Sequence, residues 1–382
     1  MNENPDVQKI AQLTKKIKDL LLAEAVLILS AFAAVLTMFF VPPSKGYIDY
    51  IDFRTLSLLF CLMLTISGLK EEGLFNTLAR RITTRLKNSR TLCLALTLMC
   101  FFSSMFITND VALITFIPFT IVIYTASGLQ KSLIYTIVVE TVAANLGSML
   151  TPVGNPQNLY LYSYYHIGPV EFFQIMLPIS FVGLLLTVGA SLICKKQPAL
   201  TFANEAAGTL RPGRLAVYAL LFLLCLLSVF YVVDYRIMLA IVVLAVAFAD
   251  RRLLLKADYG LLLTFVCFFI FVGNVERIDT IHKALSAVLD SRELLAGILL
   301  SQVISNVPAA VLLSGFTERY SDLLLGVNIG GLGTLVASLA SLISFKFYIR
   351  TEQAKPLSYL GKFTAVNLAL LVPLLLFSVS IS

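Results

Sequence analysis

The residues able to do chemistry sit in four short polar stretches inside otherwise apolar sequence. Thr108, Asn109 and Asp110 interrupt residues 91–126, and Ser305, Asn306, Val307 and Pro308 interrupt residues 294–315. Asn145, Gly147, Ser148 and Thr151 run into Pro152, Gly154, Asn155, Pro156, Gln157 and Asn158, while Asn328, Gly330, Gly331, Gly333 and Thr334 form a second glycine-rich text. Amides, hydroxyls and unwound backbone carbonyls hold ions and small solutes; they do not by themselves make or break bonds. An enzyme would need a metal cluster, a nucleophile with its base, or a lipid-phosphate motif. His166 and His282 lie far apart and join no HExxH or i, i+4 pair, and no Walker A glycine loop is present. Cys61, Cys93, Cys100, Cys194, Cys225 and Cys267 lie within or at the ends of apolar runs without CxxC spacing, as small packing residues do.

These residues need elements to position them, and the composition says what surrounds those elements. The chain has 382 residues, 58% apolar and 13% charged, against ~45–50% and ~25% in soluble proteins. With a mean hydropathy of +0.89, lipid must solvate much of the surface. A polar N-terminus, residues 1–19, precedes an apolar run at 20–41 that is too long for the core of a cleaved signal peptide. Further runs at 55–69, 132–160, 172–194, 215–233, 237–249, 259–275, 323–345 and 363–381 make nine crossings. With the N-terminus cytoplasmic, and the two interrupted stretches returning to their side of entry, 22 of the 29 basic residues face the cytoplasm. The remaining seven, Lys45, Arg54, Arg236, Arg277, Lys283, Arg292 and Arg319, face outside with the C-terminus. The net charge of +7 therefore records a multi-pass topology, with the lipid bilayer and no nucleic acid as partner. Arg80, Arg81, Arg85, Lys87 and Arg90 read as an interfacial cytoplasmic helix.

The expected fold is an all-α polytopic membrane protein with two re-entrant helical hairpins and two discontinuous helices. That makes about nine full spans plus the hairpins, or eleven spans if the hairpins are counted. Hairpin 91–126 has apolar legs of about 16 residues, ~24 Å long, short of a ~30 Å core; two full crossings would return the chain to the same side equally well. Hairpin 294–315 repeats the design. Each is followed by a helix expected to break, 132–160 and 323–345, with Asn145, Gly147 and Thr151 in register with Asn328, Gly330 and Thr334. Gly68 before Glu71 is echoed by Gly273 before Glu276. The first hairpin enters from the cytoplasm and the second from outside, so residues 20–194 and 237–382 read as inverted repeats joined by a linker and span at 195–236. Inverted repeats with broken helices place a substrate site near the midplane. Pro152, Pro156 and Gly154 predict that the stretch from Thr151 to Asn158 is unwound, with its amides and carbonyls available as ligands.

Two acids fall well inside this apolar sequence: Asp110 at a hairpin tip and Glu140, five residues before Asn145. A carboxylate in hydrocarbon costs ~2.5–3.5 kcal/mol on insertion scales, which makes both coupling candidates. For Glu140 the alternative is a helix-interior carboxylate bonded to a neighbouring helix.

The texts Thr108-Asn-Asp-Val-Ala-Leu, Gly147-Ser-Met-Leu-Thr-Pro-Val-Gly-Asn-Pro-Gln-Asn158, Ser301-Gln-Val-Ile-Ser-Asn-Val-Pro308 and Gly326-Val-Asn-Ile-Gly-Gly331 resemble the ion transporter superfamily. This group includes citrate carriers, sodium-coupled dicarboxylate symporters, arsenite permeases and a class of sodium/proton antiporter, and the likeness is to its small bacterial, citrate-transporter-like members. The resemblance spans roughly residues 20–381. It implies a secondary transporter, a homodimer of scaffold and transport domains, and elevator-like motion, moving a small anionic solute such as a carboxylate or oxyanion. It implies no cofactor beyond a coupling Na⁺ or H⁺, with Na⁺ near Thr108, Asn109, Ser305 and Asn306. The superfamily's Ser-Asn-Thr tip motif is matched by Thr108-Asn109 and Ser305-Asn306, but Asp110 and Val307 replace its last residue. The gained acid and the lost hydroxyls leave oxyanion export or Na⁺/H⁺ exchange as the second reading.

Overall fold

The structure is a computed structural model and describes residues 25–83, 86, 88–198, 211–289 and 291–381. The polar segment 1–19, the start of the first span, Arg85, Lys87 and linker residues 199–210 lie outside the described residues. Among those described, no strand is formed; one isolated bridge pairs Asn88 with Pro198. The helices are α1 (Ala25–Met38), α2 (Phe53–Glu71), α3 (Leu74–Thr83), α4 (Ser89–Ile107), α5 (Asn109–Ala126), α6 (Gln130–Ser148), α7 (Pro156–Tyr164), α8 (Pro169–Ile193) and α9 (Pro212–Val229). They continue with α10 (Tyr235–Asp250), α11 (Tyr259–Glu276), α12 (Asp279–Leu289), α13 (Glu293–Ile304), α14 (Asn306–Ser314), α15 (Tyr320–Ile329), α16 (Leu339–Ile349) and α17 (Pro356–Ile381).

Seven of these, α2, α4, α5, α8, α9, α11 and α17, are long and apolar enough to cross a membrane. The protein is an all-α polytopic membrane protein. Two of the seven, α4 and α5, are the legs of the first hairpin, which corrects the expected leg length. They have 19 and 18 residues, about 27–29 Å at 1.5 Å per residue, where about 16 are expected. The physical reason lies at the tip. The connection was read as three residues, but Thr108 alone makes it, at φ 66° and ψ 151°, so Asn109 and Asp110 already belong to α5. At the other end Asn88 caps α4 by accepting from the Thr91 N–H at 3.0 Å, which starts the helix two residues early. The second hairpin is built alike: Ser305 alone turns the chain, at φ 76° and ψ 154°, and Pro308 is tolerated in the first turn of α14.

The chain divides into two compact units. In the first, described residues 25–52 with 258–285, α1 packs on α11. Buried Asn274 donates to Thr37 Oγ1 at 3.1 Å and to the Tyr47 hydroxyl at 2.9 Å. In the second, residues 53–257 with 286–382, α2 packs on α9 and α10, and α4, α5, α6 and α8 surround one another. Arg54 donates to the Ser228 and Val229 carbonyls at 2.8 and 3.3 Å and lies 3.9 Å over the Tyr231 ring, placing a cation at the carbonyl end of α9. The glycine echo read from the sequence is a packing device: a Cβ on Gly68 would strike the Tyr218 ring, and one on Gly273 the Tyr50 ring. Glu71 pairs with Lys256.

Candidate functional site

The site candidates fall within the second unit, where two helices break beside the two hairpin tips. α6 stops at Ser148, seven residues without regular structure follow, and α7 starts at Pro156. This corrects the expected extent of unwinding. Pro156, Gln157 and Asn158 are the first turn of α7, because proline at the first helical position loses only an N–H that has no helical partner. Asn155 caps that turn by accepting from the Asn158 N–H at 2.8 Å. The second break runs from Gly330 to Ser338, between α15 and α16.

Each tip docks on its own break through the same bond. The Asn109 N–H donates to the Gly154 carbonyl at 3.1 Å, and the Asn306 N–H to the Ala337 carbonyl at 3.0 Å. Thr151 donates its hydroxyl to the Met105 carbonyl; Thr334 donates to that of Gln302 at 3.1 Å, and both acceptors lie three residues before their tips. The breaks also bond to each other crosswise. Asn155 Nδ2 donates to Asn328 Oδ1 at 3.1 Å, and Ser338 Oγ donates to Asn145 Oδ1 at 3.1 Å, so each broken helix's second half caps onto the first half of the other. Asn109 Nδ2 joins the same Asn145 oxygen at 3.0 Å, and Asn328 Nδ2 donates to Asn158 Oδ1 at 2.6 Å. The N-termini of α5, α7, α14 and α16 are thereby tied into one buried polar centre, with four partly positive helix ends around it.

Not every candidate faces that centre. A Cβ on Gly147 would overlap the Phe101 carbonyl, and one on Gly330 would meet Ser301, so these glycines allow α4 to lie against α6 and α13 against α15. Gly154 likewise sits against the Ser148 carbonyl, and Gly331 against the Asn306 amide. Ser148 Oγ donates to the Asn145 carbonyl and accepts from Asn155 Nδ2 at 3.2 Å. Asn158 Nδ2 donates to the Met149 and Thr151 carbonyls at 3.0 and 3.1 Å. Val307 and Pro308, in the first turn of α14, are buried and apolar, and Pro152 in the first break and Gln157 in the first turn of α7 are buried as well. Asp110 is half-buried in the first turn of α5, where the helix dipole favours a negative charge. Glu140 lies apart from the tips: its Oε1 accepts from Thr120 Oγ1 of α5 at 2.7 Å.

Sequence reasoning missed two polar side chains. Ser338 stands in the same register as Asn155, and extending the Asn145/Asn328 alignment by ten residues finds it. Gln302 lies in the stretch 301–308, where its spacing alone points to no role. Its Nε2 donates to the Gly330 and Leu332 carbonyls at 2.8 and 3.0 Å, and its Oε1 accepts from the Thr334 N–H at 2.9 Å. Gly333, at φ 115°, is glycine where that amide enters.

The profile of the citrate transporter family, CitMHS, matches residues 13–317 of the chain. The chain belongs to this family. Among its relatives, a transporter of Methanocaldococcus jannaschii that carries no assigned substrate in its name is 36% identical over 302 residues, 78% of this chain and 81% of the relative. The inner membrane protein YbiR of Escherichia coli is 32% identical over 312 residues, covering 81% and 83%. A silicon efflux transporter of Oryza sativa is 28% identical over 152 residues, 40% of this chain and 31% of that protein. As a citrate transporter family member the chain is a multi-pass membrane transporter of a small-molecule solute, and not an enzyme.

Proposed function

We propose that this transporter moves a small anionic solute, a carboxylate or oxyanion, coupled to Na⁺ or H⁺. The carrying observation is the crossed pair of bonds, Asn155 to Asn328 and Ser338 to Asn145, which joins the N-termini of α7 and α16 at one amide-rich centre; the tip bonds from the Asn109 and Asn306 N–H groups add those of α5 and α14. Backbone N–H groups and helix dipoles there favour an anion without a fixed cationic side chain, and the tip hydroxyls and amides of Thr108, Asn109, Ser305 and Asn306 offer oxygen ligands for a Na⁺. Matching tips and matching breaks support inverted repeats that present the centre to alternate sides, with the hairpins and broken helices moving together as an elevator. A homodimer and the N-inside, C-outside orientation in a bacterial inner membrane complete the reading.

Asp110 supports one second reading, oxyanion export or Na⁺/H⁺ exchange, since an acid beside the first tip is a cation ligand or a proton site. The rice relative's efflux of silicon agrees with export within the wider group. Reconstituted protein offered radiolabelled citrate, succinate, phosphate and arsenite under separate Na⁺ and H⁺ gradients tests both. Gradient-driven accumulation of one anion supports uptake; extrusion alone, or movement of radiolabelled Na⁺ against an imposed H⁺ gradient, supports the second reading, and no flux of any anion or of Na⁺ under any gradient refutes both.

A further inference from the structure

Glu140 lies in the middle of α6 and is fully buried. Its Oε1 accepts from Thr120 Oγ1 at 2.7 Å, while Oε2, also buried, has no hydrogen-bond partner. The ionisable side chains that face it are Cys93 and Cys100 from α4, Tyr124 from α5 and Tyr359 from α17. From α8, α15 and α16, the other helices packed on α6, no ionisable group among the described residues acts on it, and it forms no ion pair with a described residue. The ionisable groups that face it among the described residues are thus thiols and phenols, which are neutral at neutral pH. A bare carboxylate oxygen in such a place is heavily penalised, and a proton on it removes the penalty.

The aligned position of the second broken helix holds no acid. The register that aligns Asn145 with Asn328 aligns Glu140 with Leu323, which is equally buried in α15. Five residues separate Glu140 from Asn145 on the same helix, and Thr120 ties it to the second leg of the first hairpin. Glu140 is thus connected to the tip region along α6 and, through Thr120, along α5.

We propose that Glu140 carries the coupling proton. Its Oε2 takes one H⁺ from water on one side of the membrane, holds it as the carboxylic acid while buried, and returns it to water on the other side, one proton per cycle. This inference rests on the transport reading above and narrows its coupling ion.

The test uses the full chain in liposomes, with Glu140→Gln as the neutral isostere and Glu140→Leu as the residue already housed at the aligned position. Infrared spectra read the carbonyl stretch of a buried protonated carboxylic acid, and radiolabelled citrate, succinate, phosphate and arsenite read transport. Per proton carried, a gradient of one pH unit drives accumulation by about tenfold, because about 1.4 kcal/mol is a factor of ten. The expected result is that both variants lose the infrared band and all pH-driven accumulation, while Glu140→Gln still exchanges solute at equal pH. An unchanged band in both variants, or pH-driven accumulation by Glu140→Gln equal to that of the unaltered protein, overturns the proposal. If the band is lost but the unaltered protein moves none of the solutes, the transport reading itself fails, and the coupling role fails with it.

Discussion

At the scale of single residues, the glycines divide cleanly by what a methyl group would meet. Gly147 faces the Phe101 carbonyl of α4, whereas Gly189 of α8 has open space. Gly147→Ala is expected to destabilise by about 1–3 kcal/mol through overpacking, and Gly189→Ala to stay within about 0.5 kcal/mol, as read by thermal unfolding in detergent. Asn145 is the other decisive residue, because its Oδ1 takes both Asn109 Nδ2 and Ser338 Oγ. Asn145→Leu leaves two buried donors without an acceptor, each costing about 1–3 kcal/mol. Uptake by that variant should be abolished, while Asn145→Asp, which keeps the acceptor, should retain more of the stability. The sequence made Asn145 a candidate through its repetition at Asn328. It could not reveal that the oxygen, not the amide nitrogen, is the shared atom, since that depends on which side chains the fold brings to it.

At the scale of elements, each hairpin turns on one residue that is not glycine. Thr108 and Ser305 hold φ of 66° and 76° with ψ near 150°, a region costing about 1–3 kcal/mol for a residue with a side chain. Ser305→Gly removes that strain at the expense of about 0.5–1 kcal/mol of added chain freedom, so the variant should melt higher than the unaltered protein. If the Ser305 hydroxyl binds ion or solute, apparent affinity should fall in the same variant, separating the tip's conformation from its chemistry. Interruption of two apolar runs by polar residues was legible as two hairpins. The length of their legs was not, because caps such as Asn88 and one-residue turns shift helix ends by two or three residues without changing composition.

At the scale of the whole molecule, the basic residues predict which segments face the cytoplasm. With the native cysteines other than Cys267 buried, a membrane-impermeant thiol reagent on whole cells should label Arg319→Cys, and should reach Arg211→Cys only after permeabilisation. The reverse pattern would invert the proposed orientation. Composition and periodicity by themselves determined that the chain is helical and lipid-embedded, because burying apolar surface in a bilayer leaves few other solutions, while the recurrence of Asn145, Gly147 and Thr151 as Asn328, Gly330 and Thr334 carried the expectation of two related halves. What only the tertiary structure decided is which polar side chains meet: Asn155 with Asn328 and Ser338 with Asn145 crosswise between the two breaks, and, within one stretch of chain each, Gln302 with the second break and Glu140 with Thr120. These bonds link residues far apart in sequence. Their partners are selected by how the helices pack, and no local spacing records that choice.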